Sequence, residues 1–336
     1  MRKIIYIMFL VVIIFLINAC GKHSQTDIVK ALGEKVEEIK AFDVDAAMDI
    51  KEMNKSHLFD VNIKYQHPHY FKVTLKNRDS QNVQIVLKND EGVYVLSPAL
   101  NKSFKFQSDW PLNSSQPYLF QSLVKDIMND KNAIITKQGE DFVVETKVNY
   151  RKSQELTKQR IIIDGKTLFP KEVIVFDAQM NEKMSVKFMN VDLKPKFNEA
   201  EFDVEYSMNK AINTFGATLP TFADRNIMYP TNIQGTELTA ETIKELESGK
   251  RAIMTFAGEK SFTVIQEYVD KDEELGAPEI LFADPIIICS GIAFLGEQSL
   301  IWIDNGIEFF LFSSDLTPDQ MYIIANSFTR ATSVEK

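Results

Sequence analysis

Leu58-Phe59-Asp60-Val61-Asn62-Ile63-Lys64-Tyr65, followed by Tyr70-Phe71-Lys72-Val73-Thr74-Leu75, decides how this chain is read. Apolar and polar residues alternate through both segments. In an extended chain successive side chains point to opposite faces, so this period of two describes antiparallel strands with one dry face and one wet face. The pattern extends in both directions. Upstream, Phe42 to Ile50 alternates, and downstream Val83 to Leu87 does the same. Asn89-Asp90-Glu91-Gly92 reads as a hairpin turn into Val93-Tyr94-Val95-Leu96. Ser97-Pro98 breaks that strand before Ser103 to Phe106 resumes it. Further strands are read at 133–136, 142–148, 160–164, 171–176 and 184–188, with turns at Asp164-Gly165 and Asn181-Glu182.

Two helices interrupt this series. Asp27 to Ala41 repeats Ile28, Ala31, Leu32, Val36 and Ile39 at helical spacing. Pro117 to Met128 carries Leu119, Phe120, Leu123, Ile127 and Met128 on one face, with Asn113-Ser114-Ser115 as cap candidates. About ten sequential strands with one early and one inserted helix imply a strongly curved, open sheet wrapped round helices, in the manner of an incompletely closed barrel. Tyr206 to Gly235 shows no clear period and contains Pro220 and Pro230, so it reads as a linker. Thr239 to Leu246 reads as a short helix. Strands follow at 252–256, 262–268, 286–289, 291–295, 299–303 and 307–312, with Asp304-Asn305-Gly306 as a hairpin turn. Thr317-Pro318-Asp319 opens a closing helix bearing Met321, Ile324, Ala325 and Phe328. The fold class is therefore mainly β with helices (α+β). Residues 27–206 form an open antiparallel barrel enclosing helices, 207–236 a linker, and 237–331 a small antiparallel α+β domain.

The N-terminus carries a separate message. Arg2 and Lys3 precede an apolar run from Ile4 to Ile17, and Ile17-Asn18-Ala19-Cys20 follows. A basic start, an apolar run and a small residue before a cleavage point describe a signal peptide over residues 1–20. The run of about 14 residues is shorter than the roughly 20 that span a hydrocarbon core. Ile-Asn-Ala-Cys resembles the lipobox of bacterial lipoproteins, which implies acylation of Cys20 and a tether over 21–26. An uncleaved anchor with an incidental cysteine is the other reading. Either one places the remainder on the extracytoplasmic face of the cell membrane.

A net charge of −9 without a Lys/Arg cluster excludes a nucleic-acid role. Cys289 is the other cysteine, and in Ile286-Ile287-Ile288-Cys289 it reads as a small buried hydrophobe. His67-Pro68-His69 has no companion ligands and reads as a solvated turn, so no metal site is expected. Asp270 to Glu274 reads as a charged hairpin tip. There is no nucleophile elbow, zinc-protease motif or glycine-rich phosphate loop, so neither a catalytic residue nor a cofactor is expected.

The alternation directs Val61, Ile63, Tyr65, Phe71, Val73, Leu75, Ile85, Leu87, Val95, Phe104 and Phe106 to one concave side. Leu119 and Leu123 face them from a helix acting as plug or lid. Periodicity leaves two interiors open, an acyl-binding cavity or a plain packed core.

The order of elements, with Val86 to Pro98, Lys102 to Pro111 and the helix after Ser115-Gln116-Pro117, resembles the LolA/LolB superfamily. The closer likeness is to LolA-like lipoproteins of spore-forming Gram-positive bacteria, over about Asp27 to Glu205. Phe262 to Glu267 and Ser299 to Gly306 resemble a small domain of unknown function that often follows. The resemblance implies an open barrel with a hydrophobic cavity for acyl chains, no enzymatic activity, and a role in the envelope or in sporulation or germination. It also implies a second class of role, in which the barrel is a scaffold that binds a cell-wall amidase or another envelope protein. Permanent lipidation would prevent the chain from shuttling cargo between membranes.

Overall fold

In the computed structural model, the described residues are 25–52, 55–111, 114–150, 155–216, 227–246, 249–269 and 275–330. Cys20 and the charged run at 270–274 lie outside them.

Helix α1 (Gln25–Glu38) precedes six strands: β1 (Ala41–Glu52), β2 (Lys55–Gln66), β3 (Tyr70–Asn77), β4 (Val83–Asn89), β5 (Gly92–Ser97) and β6 (Lys102–Phe106). Helix α2 (Phe120–Asn129) is inserted next. Then come β7 (Ile134–Gln138), β8 (Asp141–Lys147), β9 (Leu156–Ile163), β10 (Pro170–Asp177) and β11 (Glu182–Asp192). A 3₁₀ turn (Glu199–Phe202) leads into α3 (Val204–Phe215). The remaining strands are β12 (Met228–Pro230), β13 (Glu237–Leu246), β14 (Gly249–Ala257), β15 (Phe262–Tyr268), β16 (Glu279–Leu281), β17 (Asp284–Ile288), β18 (Gly291–Leu295), β19 (Ser299–Asp304), β20 (Ile307–Phe312) and, after α4 (Pro318–Asn326), β21 (Phe328–Arg330).

Eleven consecutive strands make an open sheet in the order β6-β5-β4-β3-β2-β1-β11-β10-β9-β8-β7. The long β1–β2 hairpin sits at its centre, in register from Ala41↔Gln66 to Glu52↔Lys55. Burial alternates along β1, where Phe42, Val44, Ala46, Met48 and Ile50 point inward. That inner face receives Ile28 and Leu32 of α1 and Leu123, Val124 and Ile127 of α2. The helices meet at Gly33, where an added Cβ would stand 3.5 Å from the Met128 Sδ and Cε atoms.

Both blocks share this core. β16, from the C-terminal block, pairs in parallel with β6 and becomes the twelfth strand of the first sheet. Phe294 of β18 packs its ring 4.9 Å from Phe104 and 5.1 Å from Phe106. The seven-stranded second sheet runs β13-β14-β15-β20-β19-β18-β17. It has its own core, in which Trp302 stacks on Phe309 at 4.8 Å with Met321 and Ile324 of α4 beside them. Thr317 and Gln320 form a complete capping box at the start of α4, as the Thr-Pro-Asp sequence suggests. Asn305 and Gly306 take φ of 50° and 75° in the β19–β20 turn, the conformation such a hairpin requires.

Three expectations are corrected. Thr239 to Leu246 is not a helix but most of strand β13, held by pairing with β14 from Glu237↔Ala257 to Leu246↔Gly249. Pairing outweighs the local helical preference. The stretch read as a linker begins inside a helix, α3, which is capped by Asp203, whose Oδ1 accepts from the Tyr206 N–H at 2.8 Å. The second helix begins at Phe120 rather than Pro117, and Leu119 at its N-cap makes no side-chain hydrogen bond. Ser115, read as a cap, instead donates from Oγ to Asp126 Oδ2 at 2.7 Å.

Helix α3 explains a second feature. Five consecutive residues of β4, Val83 to Leu87, are buried, so the strand does not alternate. Both of its faces are covered. Val86 joins the main core, while Ile85 and Leu87 pack with Tyr94 and Leu96 against Met208 and Ala211 of α3.

A charge cluster fastens this outer layer. Lys64 and Lys72 are cross-strand partners on β2 and β3, a like-charge pairing that costs energy by itself. Glu201, in the turn before α3, places Oε1 3.1 Å from Lys64 Nζ and 3.0 Å from Lys72 Nζ. Its Oε2 lies 2.9 Å from Lys210 Nζ. Burial opposes the Glu201 charge, but hydrogen bonds from Lys210 and Lys72 and the surrounding ammonium charges win and hold its carboxyl at about 2.

Candidate functional site

The interior of the open sheet is the first place to look for a ligand. All thirteen residues read as cavity-facing are at most 5 % exposed. Val61, Ile63, Tyr65, Phe71, Val73, Leu75, Val95, Phe104, Phe106, Leu119 and Leu123 share one cluster with both plug helices. Ile85 and Leu87 belong elsewhere, on the opposite face under α3, so the alternation phase assigned to β4 is reversed. Aromatic rings fill the middle of the cluster. Phe42 lies 5.2 Å from Tyr65 and 5.5 Å from Phe169, and Phe169 lies 5.0 Å from Phe120.

An open space of about 110 Å³ lies instead at the junction of the two sheets. Leu156 and Met184 of the first sheet, Ile286 and Ile287 of β17, and Tyr322 of α4 supply apolar walls. Glu52, Glu155 and Lys183 line it too. Burial pushes the Glu52 carboxyl up, against the Lys183 charge. Burial and the neighbouring Asp319 do the same to Glu155.

Ser115 and Gln116 form part of the lining, and a buried polar network fixes them. Asp126 of α2 accepts from Ser115 Oγ at 2.7 Å and from Gln159 Nε2 at 2.8 Å. Ser115 Oγ accepts from the Asn149 N–H at 2.6 Å, and the Gln116 N–H donates to Ser122 Oγ at 2.8 Å. Burial raises the Asp126 carboxyl to about 6, although its two donors favour the charged form. The serine hydroxyl is committed to this fastening, and no histidine is among the described lining residues.

His67-Pro68-His69 is in the turn between β2 and β3. His69 Nε2 meets Asp90 Oδ1 at 2.8 Å, and the Tyr70 hydroxyl donates to the other Asp90 oxygen. Among the described residues no group of three His, Cys, Asp or Glu side chains is arranged to hold a metal. Cys289 is 5 % exposed in the main core, and burial pushes its thiol up to about 12. Sequence reading missed Glu201, Asp126 and α3. The α3 signal is present in Val204, Met208, Ala211 and Ile212 at helical spacing behind Asp203.

The family described as sporulation protein YdcC-like matches residues 1–202. Sporulation protein YdcC of Bacillus subtilis (strain 168) is 36 % identical over 318 residues, covering 94 % of this chain and 93 % of that one. Among solved structures, the MucA/MucB complex of Pseudomonas aeruginosa aligns over 91 % of this chain and 100 % of the matched one, at 13 % identity and a TM-score of 0.35. A LolA superfamily protein from Nitrosomonas europaea aligns over 53 % and 98 %, at 11 % identity and a TM-score of 0.30. The CwlD amidase of Clostridioides difficile in complex with the GerS lipoprotein aligns over 53 % and 98 %, at 12 % identity and a TM-score of 0.24. Scores this low carry no functional weight. The sequence matches are enough by themselves, one spanning the first 202 residues and the other nearly the whole chain, and they show that this chain belongs to the YdcC-like sporulation protein family.

Proposed function

We propose that this chain is a non-enzymatic sporulation lipoprotein, held on the extracytoplasmic face of the cell membrane through Cys20, that acts by binding another envelope protein. The supporting observation is the filled interior. The plug helices and the inward faces of the strands occupy the space where an acyl chain would lie, and the eleven proposed lining residues that do face it are at most 5 % exposed. Inserting a chain there would mean separating a close-packed core. The sheet is then a scaffold, and its partner class is a cell-wall amidase or another envelope protein. A second reading rests on the junction space, whose apolar walls and charged Glu52 and Lys183 suit the end of an acyl chain with a polar head.

Native mass spectrometry of residues 22–336, produced in bacteria as a soluble piece and purified without added lipid, tests the first reading. A clean apo mass is expected. A retained phospholipid or fatty-acid mass would refute the scaffold reading, and its loss on Ile286→Asp would move the ligand to the junction space.

A further inference from the structure

A second space, of about 310 Å³, opens where three tight turns and the end of α3 converge. The β3–β4 turn contributes Ser80, Gln81 and Asn82, the β5–β6 turn Pro98, the β19–β20 turn Asn305, and α3 its last residue, Phe215. None of the described lining residues is charged, in a chain of which 25 % is charged. We propose that this space is a binding site for a neutral saccharide.

The walls are built rather than loose. Asn77 Oδ1 accepts from the backbone N–H groups of Asp79 at 2.9 Å and Ser80 at 3.0 Å, and the Asn77 N–H donates to the Asn82 carbonyl at 2.9 Å. The Asn82 N–H donates to Ser80 Oγ at 3.3 Å, which closes the loop. Opposite it, Asn305 Nδ2 donates to Asp304 Oδ1 at 2.9 Å and orients that carboxamide. Among the described residues, the Asn82 carboxamide and the Asn305 Oδ1 have no hydrogen-bond partner.

Carboxamides and a hydroxyl both donate and accept, which matches the mixed requirement of sugar hydroxyls. The described lining residues offer no side chain that would pair an ion, and an acyl chain would leave these polar groups unpaired. Phe215, 44 % exposed, supplies an apolar ring of the kind on which the C–H face of a pyranose lies, with Lys76 Nζ standing 5.9 Å from its centroid. The volume falls at the small end of the roughly 300–1,000 Å³ typical of ligand sites, suited to a mono- or disaccharide.

The test is saturation-transfer NMR on the full-length protein in a sugar-free detergent, with N,N′-diacetylchitobiose and maltose as probes at about 10 mM, enough to report millimolar affinity. Transfer to at least one probe is expected. It should weaken by about tenfold or more in both Phe215→Ala and Asn82→Ala, with circular dichroism confirming that each variant folds. Two substitutions on separate elements guard against a fault in one of them. No transfer to either sugar, or undiminished transfer in both folded variants, would overturn the site.

Discussion

Glu201→Gln removes one negative charge from among three ammonium groups while leaving the side-chain shape nearly unchanged. Lys72 decides the magnitude. Its side chain is 6 % exposed, and Glu201 is its one ion-pair partner among the described residues. Lys64 retains Asp43 at 3.2 Å, and Lys210 is 46 % exposed and rehydrates. Breaking a buried pair by removing one partner costs about 3–5 kcal/mol. The carboxyl gives the same scale. Held at about 2 instead of its usual 4.5, it contributes roughly 3 kcal/mol at neutral pH. Because its folded value is depressed, that stability is fully present above pH 4.5 and disappears as pH falls through about 2. Urea unfolding at pH 7 should show a loss of about 3 kcal/mol or more. Hydrogen exchange should show α3 amides opening first, as the lysines seek water and uncover Leu87 and Leu96. Adding Lys72→Met should restore much of the loss, since the charge left stranded is then gone. A change below about 0.5 kcal/mol, or no rescue by the double substitution, would refute the account of Glu201 as the fastener of the outer layer.

Three further outcomes follow from named groups. Leu87→Asp should cost at least about 3 kcal/mol, and should loosen α3 before the plug helices, because Leu87 packs against Met208 and Ala211; earlier exchange in α2 would contradict that placement. Asp126→Asn should raise the melting temperature at pH 8 and leave it near wild type at pH 4. The raised Asp126 carboxyl contributes stability below its unfolded value near 3.8 that is lost as pH rises through about 6, so an unchanged melting temperature at pH 8 would refute its buried environment. Cys20→Ala should leave the protein as precursor or release it from the membrane fraction, and wild-type partitioning and migration would refute lipidation at Cys20.

Much of the architecture was legible because it is local. Period-two alternation from Phe42 to Leu75 identifies strands whose inner face is the core, and those inner residues are buried in the structure. Thr317-Pro318-Asp319 and Asp304-Asn305-Gly306 carry their own stereochemistry in capping and positive φ, so the last helix and last hairpin stand where the sequence put them. The plug helix was found from its apolar stripe, but its first turn was not. Ser115 had a stronger partner, Asp126, eleven residues away.

What only the tertiary structure decided depends on partners distant in sequence. Alternation assumes one wet face, and at β4 it failed because α3, more than 115 residues downstream, covers that face. Thr239 to Leu246 has helix-forming residues, yet it is a strand because β14 offers a full ladder of hydrogen bonds. Glu201 looks like any surface acid until the pairing of β2 with β3 sets two lysines side by side beneath it. The question left open by periodicity, cavity or packed core, was a question of volume. Local sequence fixes which way side chains point, but how the enclosed space is occupied depends on how α1, α2 and Phe294 meet the sheet, and all three pack into its inner face.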